Sequence, residues 1–427
     1  MEETAEPNGR SVDRFWLSSR RVRPVNSSIL PDFGPGEELP EWLLDEILLR
    51  LPMKSAFRLK CVSRRWLLEL SHPSFRRRFL MLTDGALPSW TLLYGYTRVP
   101  EDIPEGTGFD CGSDGDCPLP RFTVMPSHSS LGTFQILGSS NGLLLCCQSW
   151  KDIYYIYDPL TLQCLAIPRG ISWVEPTSEG LITEIEEGEL KGYKVVRVGQ
   201  ELDNPAKLFV DVFSSELGLW TNYQFYSPRP TYFPKEFPYF RFARPVIVKE
   251  TVYLPDYQEG VVIAYNPYTS PDQLSIVRLP DRQLDRLPPW FELCDVFRDK
   301  LRHYTVSEAW ENPTLKVWEL AEPSDGGQWS LVHSCRWSEI QWKDARLGGT
   351  EPHRRFLPLS FHPSDPNIVY VWNTKCVASY DMKARRLEVF CELDSSFRGL
   401  SWESVMPFVL PNWPVSIPRP TWKINDT

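Results

Sequence analysis

The stretch YDPLT at 157–161 returns as YNPYT at 265–269, 108 residues later, and in looser form as YDMKA at 380–384. Between these copies runs a second figure, a strand-like run followed by a polar glycine turn and a tryptophan. FVDVFSSELGLW closes at Trp220 and VWELAEPSDGGQW at Trp329. The two figures alternate, so turn signals fall near 158, 217, 266, 326 and 382, roughly every 50 to 60 residues. A chain with an internal period of this length builds one small unit per period and buries its apolar faces by stacking the units. Asp or Asn ahead of Pro gives an Asx-type turn with φ already set, which fixes a tight hairpin between neighbouring strands.

The residues around these turns are those of strands. GLLLCC, IYYIYDP, YKVVRV, KLFVDVF, VVIAYNP, LKVWEL, NIVYVWN and LEVFCEL are rich in Val, Ile, Tyr, Phe and Trp and are bounded by Asp, Asn, Pro and Gly. A four-stranded unit of about 50 residues, repeated radially, accounts for the spacing and hides the strand edges. From its length, the stretch from about 90 to 427 has room for six or seven such blades. The expected fold is therefore an all-β propeller at 126–427, with 83–125 a linker and acidic loop that could form a first blade. Six acids and no base lie in 100–120.

The N-terminal side differs. Residues 1–36 are polar, carry Pro24, Pro31 and Pro35, and read as a disordered tail. EELPEWLLDEILLRLPMKSAFRLKCVSRRWLLELSHPSF follows, at 37–75. Pro40 suits a first helical turn, and Leu44, Ile47, Leu48 and Leu51 fall at i, i+3, i+4 and i+7 until Pro52 stops the helix. Ser55 is placed as the N-cap of a second helix with Leu59, Val62, Trp66 and Leu70 on one face, and Pro73 opens a short third turn. The expectation is two to three short helices over 37–82. Such a unit is too small to bury all its apolar residues, because Trp42, Leu43 and Leu49 lie off the main stripe. Some of this surface has to meet another chain or the next domain.

Charge points the same way. The chain carries a net −9, yet Arg50 to Arg78 holds nine Lys/Arg against one acid, Glu69. The acidic net charge argues against a general nucleic-acid binder, and a basic segment on such a protein suits one acidic partner site, or is simply a solvated helix face. No apolar run approaches the 18 residues of a membrane span, and MEETAEPNGR has no secretory pattern. The ten cysteines form no C-x-x-C pair. An intracellular location, nucleus and/or cytoplasm, is expected.

Catalytic signatures are few. GSSNG at 138–142 matches G-x-S-x-G with Ser140 at the nucleophile position, but a strand-like run follows it where that motif needs a helix. The six histidines form no i, i+4 pair, and there is no phosphate-binding Gly-Lys-Ser/Thr loop. No catalytic residues, metal ligands or cofactor are therefore assigned. One segment is a binding candidate: 220–245 combines ten aromatics and five prolines with arginines. Aromatics and Arg dominate interface hot spots. Trp220, Tyr223, Tyr226, Arg229, Tyr232, Phe233, Tyr239 and Arg241 are the candidate substrate-binding residues, set against simple packing between blades.

Leu39-Pro40, Leu43-Leu44, Ile47-Leu48, Arg50-Leu51-Pro52, Lys54-Ser55, Arg58, Lys60-Cys61-Val62-Ser63-Arg64, Trp66 and Phe75 together resemble an F-box, with Ala56 where leucine is usual. GSSNGLLLCC, YDPLT and HPSDPNIVYVW resemble phrases of the kelch-like, F-box-associated propellers of plant F-box proteins; the double glycine of true kelch repeats is largely missing, with Gly326-Gly327 its one blade-like instance. The resemblance implies a non-catalytic substrate receptor of a Skp–cullin–F-box ubiquitin ligase. It would bind a Skp-type adaptor and, through that adaptor, cullin and a ubiquitin-conjugating enzyme. The alternative is a scaffold that binds an adaptor without promoting degradation. The implied adaptor-docking residues are Leu39, Pro40, Leu44, Ile47, Leu48, Leu51, Pro52, Val62 and Trp66, with some of them packing the helices' own core. The propeller would hold a target protein whose identity the residues do not reveal.

Overall fold

In the computed structural model the described residues are 41–51, 53–83, 90–94, 134–148, 153–159, 163–170, 176–186, 189–200, 207–226, 244–257, 259–280, 292–306, 313–321, 327–343, 356–373, 376–392, 405–409, 413 and 417. The chain divides into two compact units, 1–85 and 86–427.

Among the described residues the first unit forms four helices, where two to three were expected: α1 (Glu41–Arg50), α2 (Met53–Leu59), α3 (Arg64–Ser71) and α4 (Pro73–Thr83). Ser55 does not cap the second helix but lies inside it. The cap is Ser63, whose Oγ accepts from the Trp66 amide at 3.1 Å. The amides of Lys60, Cys61 and Val62 each donate three residues back and close α2 in a tight turn. The expected long second helix is therefore two short ones. Pro73 starts a helix of 11 residues, carrying Phe75 and Phe79, which stack at 6.3 Å and are both buried. With Leu48, Leu49, Ala56 and Leu70 they form the small core. Arg78 of α4 donates to Asp45 at 3.0 Å and Glu46 at 3.4 Å on α1.

The second unit is all β. A two-stranded antiparallel sheet pairs β1 (Trp90–Tyr94) with a strand from the far end of the chain, described last. The first blade is β2 (Phe134–Ser140), β3 (Leu143–Gln148), β4 (Ile153–Asp158) and β5 (Gln163–Ala166). The second is β6 (Pro176–Glu186), β7 (Glu189–Gln200), β8 (Lys207–Ser214) and β9 (Leu219–Tyr226). The third is β10 (Val246–Val248), β11 (Thr251–Asp256), β12 (Val261–Tyr265) and β13 (Ser275–Arg278). The fourth is β14 (Glu292–Phe297), β15 (Lys300–Val306), β16 (Thr314–Leu320) and β17 (Trp329–Arg336). A single 3₁₀ turn, Trp337–Glu339, leads to β18 (Gln341–Trp342), which pairs in parallel with the outer edge of the fifth blade. That blade is β19 (Leu357–Phe361), β20 (Ile368–Trp372), β21 (Cys376–Asp381) and β22 (Arg386–Glu392). The last strand, β23 (Val405–Val409), pairs with β1.

Each blade is an antiparallel meander. The first strands of successive blades lie side by side, and β23 follows β19 in the same inner ring. Four apolar cores lie between consecutive blades. A fifth joins Met406 and Phe408 of β23 to Ile136, Leu144, Cys146 and Tyr157 of the first blade, so chain ends are used to close the ring.

The described residues thus form five blades, where six or seven were expected. The five turn signals are the better count. Each marks the hairpin between the third and fourth strands of one blade, after β4, β8, β12, β16 and β21. Successive blades follow at the expected period over 134–392; the length estimate overshoots because it also counted 90–133 and 393–427, where the described residues form only the β1–β23 pair. The Asx reading holds at Asn266-Pro267, and Asp381, ahead of Met382, makes a similar bond. Asn266 Oδ1 accepts from the amides of Tyr268 and Thr269 at 2.8 and 3.0 Å, and Asp381 Oδ1 from Ala384 at 2.8 Å.

Candidate functional site

The helical unit turns a large apolar surface outward. Leu48 is 3% exposed and belongs to the unit's own core, so it is not available for docking in the free chain. Ile47 is 45% exposed and Val62 64%, while Leu44, Leu51 and Trp66 are half-buried. Leu39, Pro40 and Pro52 lie outside the described residues. Further exposed side chains are Trp42 on α1, Leu67 and Leu68 on α3, and Met81 and Leu82 on α4. The expected docking set omitted all five. Their signal was the sheer excess of apolar residues over what four short helices can bury, as in FLML at 79–82.

Basic groups stand among these residues. Arg58, Arg64, Arg65 and Arg77 are exposed, and Lys60 sits 4.4 Å over the Phe57 ring. Burial holds the Lys60 ammonium below the usual lysine range. Exposed apolar side chains on a small folded unit are costly to leave in water, and here they are accompanied by exposed basic residues.

The candidate substrate residues divide. Trp220 is a correction: it is only 7% exposed, its Nε1 donates to the Pro168 carbonyl at 2.7 Å, and its ring meets Phe213 at 5.4 Å and Tyr154 at 6.1 Å. A tryptophan on the outer strand of the second blade fills the seam to the first, so here the packing reading prevails. Tyr223 is half-buried against the seam between the second and third blades. Tyr226, at the end of β9, is 70% exposed. Arg229, Tyr232, Phe233, Tyr239 and Arg241 lie outside the described residues.

Ser140 ends β2, and Asn141 and Gly142 turn with φ of 47° and 82°, as a two-residue hairpin requires. Its hydroxyl lies 2.8 Å from Thr183 Oγ1 on the neighbouring blade. A strand, β3, follows where a nucleophile elbow needs a helix. Among the described residues no group of three His, Cys, Asp or Glu side chains could hold a metal ion, and no helix is long and apolar enough to cross a membrane.

A four-helix docking unit followed by a β-propeller defines the class: an F-box protein with a propeller. Residues 37–77 match the F-box domain, and residues 88–405 match the family described as F-box protein At3g26010-like, beta-propeller. The chain belongs to that F-box/β-propeller family. It is 26% identical to the F-box protein At1g49990 of Arabidopsis thaliana, over 88% of this chain and 97% of that protein. It is likewise 26% identical to the Arabidopsis thaliana F-box protein At3g26010, over 90% of this chain and 91% of that protein.

Proposed function

We propose that the protein is the substrate-recognition subunit of a Skp–cullin–F-box ubiquitin ligase. F-box domains bind Skp-type adaptors. The observation that carries this reading is the outward apolar surface of α1, α3 and α4, with its basic border, on a unit whose own core is complete without it. The helices would engage the adaptor, which links to cullin and a ubiquitin-conjugating enzyme. The propeller would hold the target protein. The chain makes and breaks no bond: it raises the effective concentration of target lysines near the charged conjugating enzyme. Activity in the nucleus and/or cytoplasm follows from this role.

The test is co-purification with a Skp adaptor. Leu68, 67% exposed, is replaced by Asp. Losing a buried leucine contact of about 1.5–3 kcal/mol weakens binding roughly 10- to 100-fold. Replacing Leu39 and Pro40 by Ala abolishes it. Retention of the adaptor by both variants overturns the reading. Target abundance that does not rise on proteasome inhibition, with the adaptor still bound, identifies a scaffold instead.

A further inference from the structure

Among the described residues outside the helical unit, a group of titratable and nucleophilic side chains lies where the fourth blade meets the fifth. His333 and Cys335 are on β17, Tyr380 on β21. His333 Nε2 is 3.0 Å from the Tyr380 hydroxyl, and the two rings lie 5.7 Å apart. The same hydroxyl meets the Cys335 thiol. Above them, Arg385 Nη1 pairs with Glu339 Oε2 at 2.6 Å, and that Glu339 oxygen lies 3.8 Å from Cys335 Sγ. Tyr304 on β15 stands behind Tyr380. Every polar contact here except those within β17 and its 3₁₀ turn runs from one blade to the next.

The group is not a nucleophilic site. Cys335 is 2% exposed and burial pushes its thiol above the ordinary range, so no thiolate is presented to solvent. Its geometry instead depends on one proton. With its proton on Nδ1, neutral His333 presents Nε2 as the acceptor for the Tyr380 hydroxyl, while the Cys335 thiol donates to the Arg336 carbonyl at 3.4 Å and toward Glu339 Oε2. Once Nε2 is protonated it can only donate. The Tyr380 proton must then turn away, and the nearby sulfur is a weak acceptor. The new charge also faces Arg385. That arginine occupies a left-handed backbone position, φ 51°, which a residue with a side chain adopts only at a cost.

We propose that the seam between the fourth and fifth blades is an acid-sensitive latch, closed while His333 is neutral and opened when its ring takes up a proton. Burial, joined by the Arg385 charge, holds His333 below the usual imidazole range. The seam's contribution is therefore complete above the unfolded-state value near 6.5 and is lost as pH falls below it.

The experiment uses the full chain. His333 ring resonances, identified by their absence in His333→Gln, are titrated by NMR from pH 8 to 5. The expected midpoint lies below 6.5, and Arg385→Gly moves it upward. Glycine suits the positive φ, and Arg385→Asn serves if the glycine variant does not fold. Melting at pH 7.5 and 5.5 then compares the chains. The natural protein loses about 2 °C more on acidification than His333→Gln. His362 contributes equally to both chains, so the difference isolates His333. A midpoint at or above 6.5, no movement in either Arg385 variant, or an equal melting loss overturns the proposal.

Discussion

Asp295 offers the sharpest test of how the ring is held. It sits on β14, the inner strand of the fourth blade, and is 4% exposed. Its Oδ2 accepts from the Ser360 hydroxyl at 2.8 Å and from the Phe361 amide at 3.3 Å, both on β19 of the fifth blade. Its Oδ1 accepts from the Val296 amide at 2.8 Å and lies 3.9 Å from Arg244 Nη2, just before the third blade. One carboxylate therefore ties three blades. In Asp295→Ala, Ser360 keeps a second acceptor, the Phe361 carbonyl at 2.9 Å, so its loss is small. The buried Phe361 amide loses its carboxylate acceptor, at about 1–3 kcal/mol for a buried donor left unpaired. Arg244 retains solvent and adds little. The sum is ~2–4 kcal/mol for Asp295→Ala against ~0.5–1 kcal/mol for Ser360→Ala. Asp295→Asn falls between them, because both carboxylate oxygens face donors and an amide nitrogen must oppose one. Urea unfolding followed by tryptophan fluorescence measures all three. If Ser360→Ala costs as much as Asp295→Ala, or if Asp295→Ala costs under about 1 kcal/mol, the carboxylate is not the tie described.

Other outcomes follow from single sites. Burial would raise the Glu319 carboxyl, but Lys300 at 2.7 Å and Arg302 at 3.0 Å outweigh it and the group is held below its usual range. Its contribution is present above about pH 4.5 and lost as pH falls through the lowered value, so Glu319→Gln flattens the acid limb of a stability–pH profile. Thiol labelling of the native chain modifies Cys61 and Cys164, which are exposed, well before Cys146 and Cys294, where burial raises the thiol further. Gly142→Ala forces a side chain onto φ 82° and lowers stability by about 1 kcal/mol, read as a shift of the unfolding midpoint. Leu70→Asp melts the helical unit by helix circular dichroism, whereas Leu68→Asp leaves its helices intact.

Much was legible in the sequence because turn chemistry is local. Asp158, Asn266 and Asp381 mark the same hairpin in alternate blades, and an Asx turn needs only its own neighbours. Strand identity was equally local, carried by β-branched and aromatic runs. The docking unit announced itself through apolar residues in excess of what it could bury. Its inner side did not. Leu44, Ile47, Leu48 and Leu51 match a helical stripe, yet the buried pair is Leu48 and Leu49. A helix apolar over more than half its circumference does not say which side faces in; Phe75 and Phe79 of α4 decide that.

Five turn signals, strand character and a basic helical unit were determined by the sequence alone, since each rests on contacts within a few residues. The tertiary structure decided that Trp220 is core, that β23 closes the ring against the first blade, and that Asp295 and His333 bridge blades. Those partners are separated by about 50 residues or more, and side-chain environments of that kind exist only once the ring has formed.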